Sequence, residues 1–334
     1  MAILAFSLPV LAVIFTANYV YIRGGGLRMA FNLFLFAVNF LLLIAGIGLR
    51  FLPPDLTGFL PPGLQLLDSH MASITLIGMG SWGMMLACLN PARRALARIF
   101  PAIKPESVVH TLALVMVGYL IGNATFSLAP GALDALAEAG IEVSLVDVLA
   151  QNLLFVLVSF AGVGLLVRRD SAALNERLGL LRPTRGQLWT GIRWMVFFVI
   201  LQGCVGVTWT LINPSQVEQL SGINEALLGN FDTVWEWFLL AAAAGLGEEL
   251  LFRGALQPIF GILPTSLIFA VSHVQYGLSP ATLTIFLLST VLGIIRKRSN
   301  TTVAILVHTG YNFTLGLLSL LAVYLTQFVQ QAGP

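Results

Sequence analysis

The sequence predicts an all-α, polytopic transmembrane helical bundle of about ten spans, and three observations carry that prediction. Of 334 residues, 57% are apolar and only 10% are charged, against about 25% charged in a soluble globular chain. Mean hydropathy is +0.91. Apolar stretches of about 20 residues, the length that crosses a ~30 Å hydrocarbon core, recur along most of the chain.

Taken in order, the spans read as roughly 3–22, 29–49, 71–90, 107–129, 146–167, 190–212, 232–260, 264–276, 281–295 and 301–328. No basic residue precedes the first, and the first positives, Arg23 and Arg28, follow it. That pattern is a retained span rather than a secretory signal. Spans 264–276 and 281–295 are short, so they are expected to tilt or to be shielded within the bundle.

Charge then orients the bundle. Arg23 and Arg28 follow the first span, and Arg93, Arg94, Arg98 and Lys104 the third. Arg168, Arg169, Arg177, Arg182 and Arg185 follow the fifth, with Arg193 just inside the sixth; Arg296, Lys297 and Arg298 follow the ninth. These belong to alternate loops, which the positive-inside rule makes cytoplasmic. Only Arg50 falls on the other side, where Asp55, Asp68, Asp134, Glu138, Glu142, Glu218, Glu225 and Asp232 collect. The expectation is an integral protein of the cell membrane with both termini outside. Trp189 and Trp194 at one end of span six, Trp209 near its other end, and Trp235 and Trp237 at the start of span seven suit interfacial anchors.

Several classes fall away. Basic residues sit in short loops beside spans, which gives no surface for nucleic acid. Cys88 and Cys204 lie within apolar segments, so no disulfide framework is implied. Pro53-Pro54 and Pro61-Pro62 mark an outer loop. Gly118-x-x-x-Gly122 and the run Ala241 to Gly245 permit close helix approach and read as packing. The basic, polar stretch 168–187 divides an N-terminal region, 1–170, of unknown role from a C-terminal region, 185–330.

Against this background one stretch is costly. Gly247-Glu248-Glu249-Leu250-Leu251-Phe252-Arg253-Gly254 places three charges inside span seven, and each costs at least about 2.5 kcal/mol near a bilayer centre. Glu249 and Arg253 are i,i+4, on one helix face, and can form an ion pair. Glu248 is about 100° round the helix. It is left without that cation, which suits general-base work. The other ionisable groups deep in spans are His273 and His308; His110 and Glu236 lie near span ends and read as interfacial. Phe269 and His273 are i,i+4, as are His308 and Asn312. By helical rise, Glu248, His273 and His308 lie roughly 10–18 Å from the cytoplasmic boundary. Three helices therefore bring a carboxylate, two imidazoles and an amide into one layer on the cytoplasmic side of the bundle, and the site is expected to open toward that side.

Glu248-Glu249-x-x-x-Arg253, Phe269-x-x-x-His273 and His308-x-x-x-Asn312, in this order on separate helices, resemble the three signature motifs of the CAAX protease and bacteriocin-processing (CPBP, or Abi) family of intramembrane endopeptidases. That family includes the type II CAAX prenyl endopeptidases. The resemblance covers about residues 185–330, and Leu178-Gly179-Leu180-Leu181-Arg182-Pro183 is similar to the family lead-in. It implies an intramembrane protease domain that hydrolyses peptide bonds with an activated water. By motif position Glu248 would activate the water, aided by His273; His308 and Asn312 would donate to the oxyanion; Glu249 and Arg253 would hold the site together. The implied partners are the bilayer and a peptide or membrane-protein substrate, lipidated if it is of CAAX type.

The metal question stays open at this point. Glu248, His273 and His308 are also the His₂Glu ligand set of a zinc peptidase, although His-Glu-x-x-His is missing. Asn312 suits an oxyanion donor better than a zinc ligand, which tips the reading towards chemistry without a metal. Ser272 abuts His273 but points about 100° away, no Gly-x-Ser-x-Gly surrounds it, and no mid-span aspartate pair occurs. Two other functions compete. An ion-coupled transporter would show paired broken-helix repeats, whereas the polar groups here are confined to the last third. An inactive scaffold or immunity protein would not need the full motif set.

Overall fold

The computed structural model describes residues 2–53, 69–126 and 143–332. Each span read from the sequence is helical over most of its described length, with non-helical residues at Leu89, Ser107, 164–167, Asp232, Thr233 and His273. The elements are α1 (Ala2–Arg23), α2 (Gly26–Arg50), α3 (Ser69–Cys88), α4 (Asn90–Ile99), α5 (Val108–Phe126), α6 (Leu145–Val163), α7 (Ser171–Leu178), α8 (Arg185–Ile212), α9 (Pro214–Leu228) and α10 (Val234–Glu249). A π-helical turn over Leu250–Leu256 follows, then α11 (Gln257–Phe260), α12 (Ile262–Ser272), a 3₁₀ turn at Val274–Tyr276, α13 (Pro280–Arg298) and α14 (Thr301–Ala332). Pro54, the Pro61-Pro62 pair, Asp55, Asp68, Asp134, Glu138 and Glu142 lie outside the described residues.

Seven of the described helices, α2, α3, α5, α6, α8, α13 and α14, are long and apolar enough to cross a bilayer. Span seven is a composite of α10, the π turn and α11. Span eight is the exception: α12 has 11 residues, or about 16 Å of rise, half a hydrocarbon thickness. The chain then turns at Gly277 (φ +53°) and restarts at Pro280, the first residue of α13. Irregular backbone at that depth is tolerated where it lines a cavity, and Gln275, Tyr276 and Ala281 do so.

Glycines set how closely the site helices approach. A Cβ on Gly245 would come within 2.2 Å of Thr309 Oγ1, so α10 and α14 touch there. A Cβ on Gly247 would meet Asn152 Oδ1 at 2.6 Å, which brings α6 against the turn carrying the two glutamates. Gly118 and Gly122 seat Trp82 and Met79 of α3 in the same manner. One apolar cluster joins Leu86, Leu114 and Val115 to Phe252, Phe260, Ile268 and Phe269. The N-terminal helices and the site helices therefore share a core.

The π turn has a physical cause in the sequence after it. Pro258 has no N–H, so the carbonyl four residues earlier, Gly254 O, loses its helical donor. Arg177 at the end of α7 supplies the replacement, with Nη1 donating to Gly254 O at 2.7 Å and Nη2 to Ala255 O at 3.3 Å. The rest of the lead-in is tied down beside it. Gly179 caps α7 at φ +73°, and its carbonyl accepts from Thr301 N at 2.9 Å. The Thr301 hydroxyl donates to Leu178 O.

Candidate active site

The two glutamates end α10, and the π turn carries Arg253 one turn on. Glu249 and Arg253 both have 0% side-chain exposure, with Nε 3.2 Å from Oε2. Two carboxylates and a guanidinium cannot sit in an apolar bundle without partners, and the neighbouring helices supply them. Arg253 Nη2 donates to Ser289 Oγ of α13 at 2.9 Å, and its guanidinium lies over the Phe269 ring, 5.1 Å from the centroid. The other oxygen of Glu249, Oε1, is 3.0 Å from His308 Nδ1 of α14. A carboxylate oxygen only accepts, so Nδ1 carries a proton and Nε2 is turned to the other side of the ring.

That other side is where Glu248 sits. His308 Nε2 is 3.9 Å from Glu248 Oε2. One imidazole thus stands between the two glutamates, anchored to the fully buried one and facing the one that retains 16% exposure. With both carboxylates ionised and His308 doubly protonated, Glu248, Glu249, Arg253 and His308 sum to zero charge, which removes the largest penalty of burying them.

His273 arrives from the other direction. It follows the last residue of α12, and its Nδ1 donates to Phe269 O at 2.9 Å, a carbonyl that also accepts from Ser272 Oγ at 2.7 Å. The end of a helix leaves such carbonyls without donors, so this bond fixes the ring and directs Nε2 away from the helix. Phe269, 4% exposed, is the common surface. Its ring centroid is 4.7 Å from that of His273, 6.2 Å from that of His308 and 4.9 Å from that of Phe252. Asn312, one turn beyond His308 on α14, completes the set.

Glu248, His273, His308 and Asn312 all line one cavity of about 1360 Å³. Besides the site helices, α6 contributes Asn152 and α8 contributes Phe198 and Gln202. By helical count the site lies nearer the arginine-rich ends, but the cavity extends away from them. Its far lining is Thr210 at the end of α8, Ser221 and Asn224 on α9, Asp232 before α10, and Gln327 late in α14. The expected opening towards the basic ends is therefore not the direction the cavity takes. Among the described residues, no three His, Cys, Asp or Glu side chains are grouped so as to hold a metal ion. Glu248 and His308 face each other, but His273 does not complete a ligand set with them.

Of the six candidates, Glu248, Glu249, Arg253 and His308 are in direct contact, while His273 and Asn312 join them as cavity walls. Two contributors had no sequence signal as such. Ser289 is an ordinary small residue in an apolar helix, and Arg177 belongs to a basic loop. Pro258, close behind the charged stretch, was the available hint of freed carbonyls.

The arrangement is that of a membrane-embedded helical bundle with a carboxylate–imidazole centre in a cavity of mixed polar and apolar walls. Residues 230–314, which hold every one of the six candidates, match the family model described as type II CAAX prenyl endopeptidase Rce1-like. Over that stretch the chain is similar to type II CAAX prenyl endopeptidases. No curated protein and no solved structure matches the chain.

Proposed function

We propose that the chain is an intramembrane endopeptidase in which Glu248 activates water against a peptide carbonyl. The single observation that supports this most is the His308 ring held between Glu249 and Glu248 at the cavity head, at 3.0 and 3.9 Å. A reactive carboxylate needs a fixed orientation and partial access to water. Glu248 lines the cavity and keeps 16% exposure, while Glu249 is fully enclosed and serves as anchor.

In the proposed reaction, water in the cavity transfers one proton to Glu248 as its oxygen attacks the scissile carbonyl carbon. The charge that develops on the carbonyl oxygen is met by the Asn312 amide and by an imidazole N–H; such donors are worth about 3–4 kcal/mol each. The carbon–nitrogen bond then breaks, and Glu248 returns its proton to the leaving amine, giving a carboxylic acid and an amine. His273 Nε2, freed by the bond of Nδ1 to Phe269 O, is suited to accept from the attacking water. The donor set does not form a three-ligand metal site, so no step is routed through a metal. The substrate is a peptide or membrane protein; polar and apolar walls side by side suit a segment that carries both.

The test uses full-length protein in liposomes with an internally quenched peptide reporter, with and without a prenylated C-terminal cysteine. Wild type should cleave it and Glu248→Ala should not, with both equally folded. Cleavage should persist after chelation by phenanthroline. Cleavage at the wild-type rate by Glu248→Ala would remove the reading, and loss on chelation restored by zinc would replace it with a metal mechanism.

A further inference from the structure

A second cavity, of about 420 Å³, lies in the N-terminal half and shares no residue with the one above. It is formed where α1 hands over to α2, where α3 meets α4, and where α5 begins. All of these are span ends on the basic side of the bundle. Its lining includes Gly25, Arg28, Asn32, Arg93 and Glu106.

Two guanidiniums in that lining are short of partners. The Arg28 side chain makes no hydrogen bond or ion pair among the described residues, and its Nε is buried. Arg93 is 6% exposed. It donates to Leu86 O at 2.6 Å, Ala87 O at 3.1 Å and Asn90 Oδ1 at 2.8 Å, yet its Nε is buried and unpartnered. Arginine cannot shed its charge in a protein. A buried charged donor without an acceptor costs more than about 1–3 kcal/mol and calls for an ion or water to complete it.

The backbone beside them adds to the same field. Gly24 and Gly25 have φ of +66° and +56°, and α2 starts at Gly26 with no side-chain cap. The Arg28 backbone N–H is taken by Gly25 O at 3.1 Å, but the positive end of the α2 dipole still faces this region. The one carboxylate in the lining, Glu106, is exposed and lies 3.9 Å from Arg94, outside the cavity. The cavity is left cationic, with Met29, Leu33, Ala87 and Val108 as its apolar side.

We propose that this cavity binds a phosphate group, supplied by the headgroup of an anionic phospholipid. Arg28 and Arg93 complete their donors on its oxygens, the start of α2 faces its charge, and the apolar side continues into lipid. This site does not depend on the proteolytic reading.

The test titrates full-length protein in detergent with phosphatidylglycerol, phosphatidylcholine or inorganic phosphate, and reads binding by native mass spectrometry and melting temperature. Arg28→Gln is the informative variant because the Arg28 side chain makes no hydrogen bond or ion pair within the protein; Arg98→Gln, exposed on the same side of the bundle, removes an equal charge elsewhere. Phosphatidylglycerol should bind wild type and Arg98→Gln alike, and Arg28→Gln about tenfold more weakly, with no comparable binding of phosphatidylcholine. An Arg28-dependent shift with inorganic phosphate alone would support the same site with a soluble occupant. Equal weakening in both variants, or no Arg28-dependent binding of either phosphate source, would overturn the proposal.

Discussion

Replacing Glu249 by Gln keeps the shape of the side chain and removes its charge, which isolates what the structure assigns to that carboxylate. Glu249 has no exposure and touches two partners, the Arg253 guanidinium at 3.2 Å and the His308 imidazole at 3.0 Å. Without it, Arg253 remains charged with 0% exposure, and stranding a buried charge costs about 3–5 kcal/mol. At about 2–4 °C per kcal/mol for a chain of a few hundred residues, melting should fall by about 6–20 °C. Scanning fluorimetry of purified protein in one detergent reads this directly. Glu248→Gln is the control, since Glu248 is partly exposed and makes only a 3.9 Å contact; it should melt within about 2 °C of wild type. Removing both members of the pair, as Glu249→Leu with Arg253→Met, should recover most of the stability, because the stranded charge is gone. A melting temperature for Glu249→Gln within about 2 °C of wild type would refute the anchoring role.

Three further outcomes follow from the same geometry. Arg177→Met removes two charge-assisted bonds to the π-turn carbonyls, each worth about 1.5–3 kcal/mol; hydrogen exchange should quicken over residues 252–258 and cleavage should slow, although Arg177 lines no part of the catalytic cavity. Asn312→Ala should lower kcat by about 10²–10³ with unchanged melting temperature, as loss of one oxyanion donor does. If the basic ends are cytoplasmic, Ser221→Cys on α9, in a background without Cys88 and Cys204, should react with an impermeant thiol reagent on intact cells; reaction only after permeabilisation would reverse the orientation.

Much of the site was legible because its parts obey helical spacing. The Glu249–Arg253 pair needed only the i,i+4 rule, and the gap left between spans 264–276 and 281–295 falls where the chain turns at Gly277 and restarts at Pro280. What helical spacing cannot supply is contact between helices. His308 lies 59 residues from Glu249; the family resemblance implied an oxyanion role for it, and nothing in the spacing hinted that it stands between the glutamates. Glu248 therefore has an imidazole neighbour where the sequence left it unpaired, and that neighbour is His308 rather than His273. The π turn escaped for a related reason: its local sequence is compatible with an α-helix, and the donor that its Gly254 and Ala255 carbonyls find is the sequence-distant Arg177. The direction of the cavity depends on how α8, α9 and α14 splay, which no periodicity encodes.

The central claim is that Glu248 performs the chemistry while Glu249 holds the site. Cleavage of the quenched peptide reporter by wild type and Glu248→Gln, in liposomes at matched protein content and melting temperature, tests it most directly. The account predicts cleavage by wild type and none above background by Glu248→Gln. Equal rates for the two proteins would contradict it.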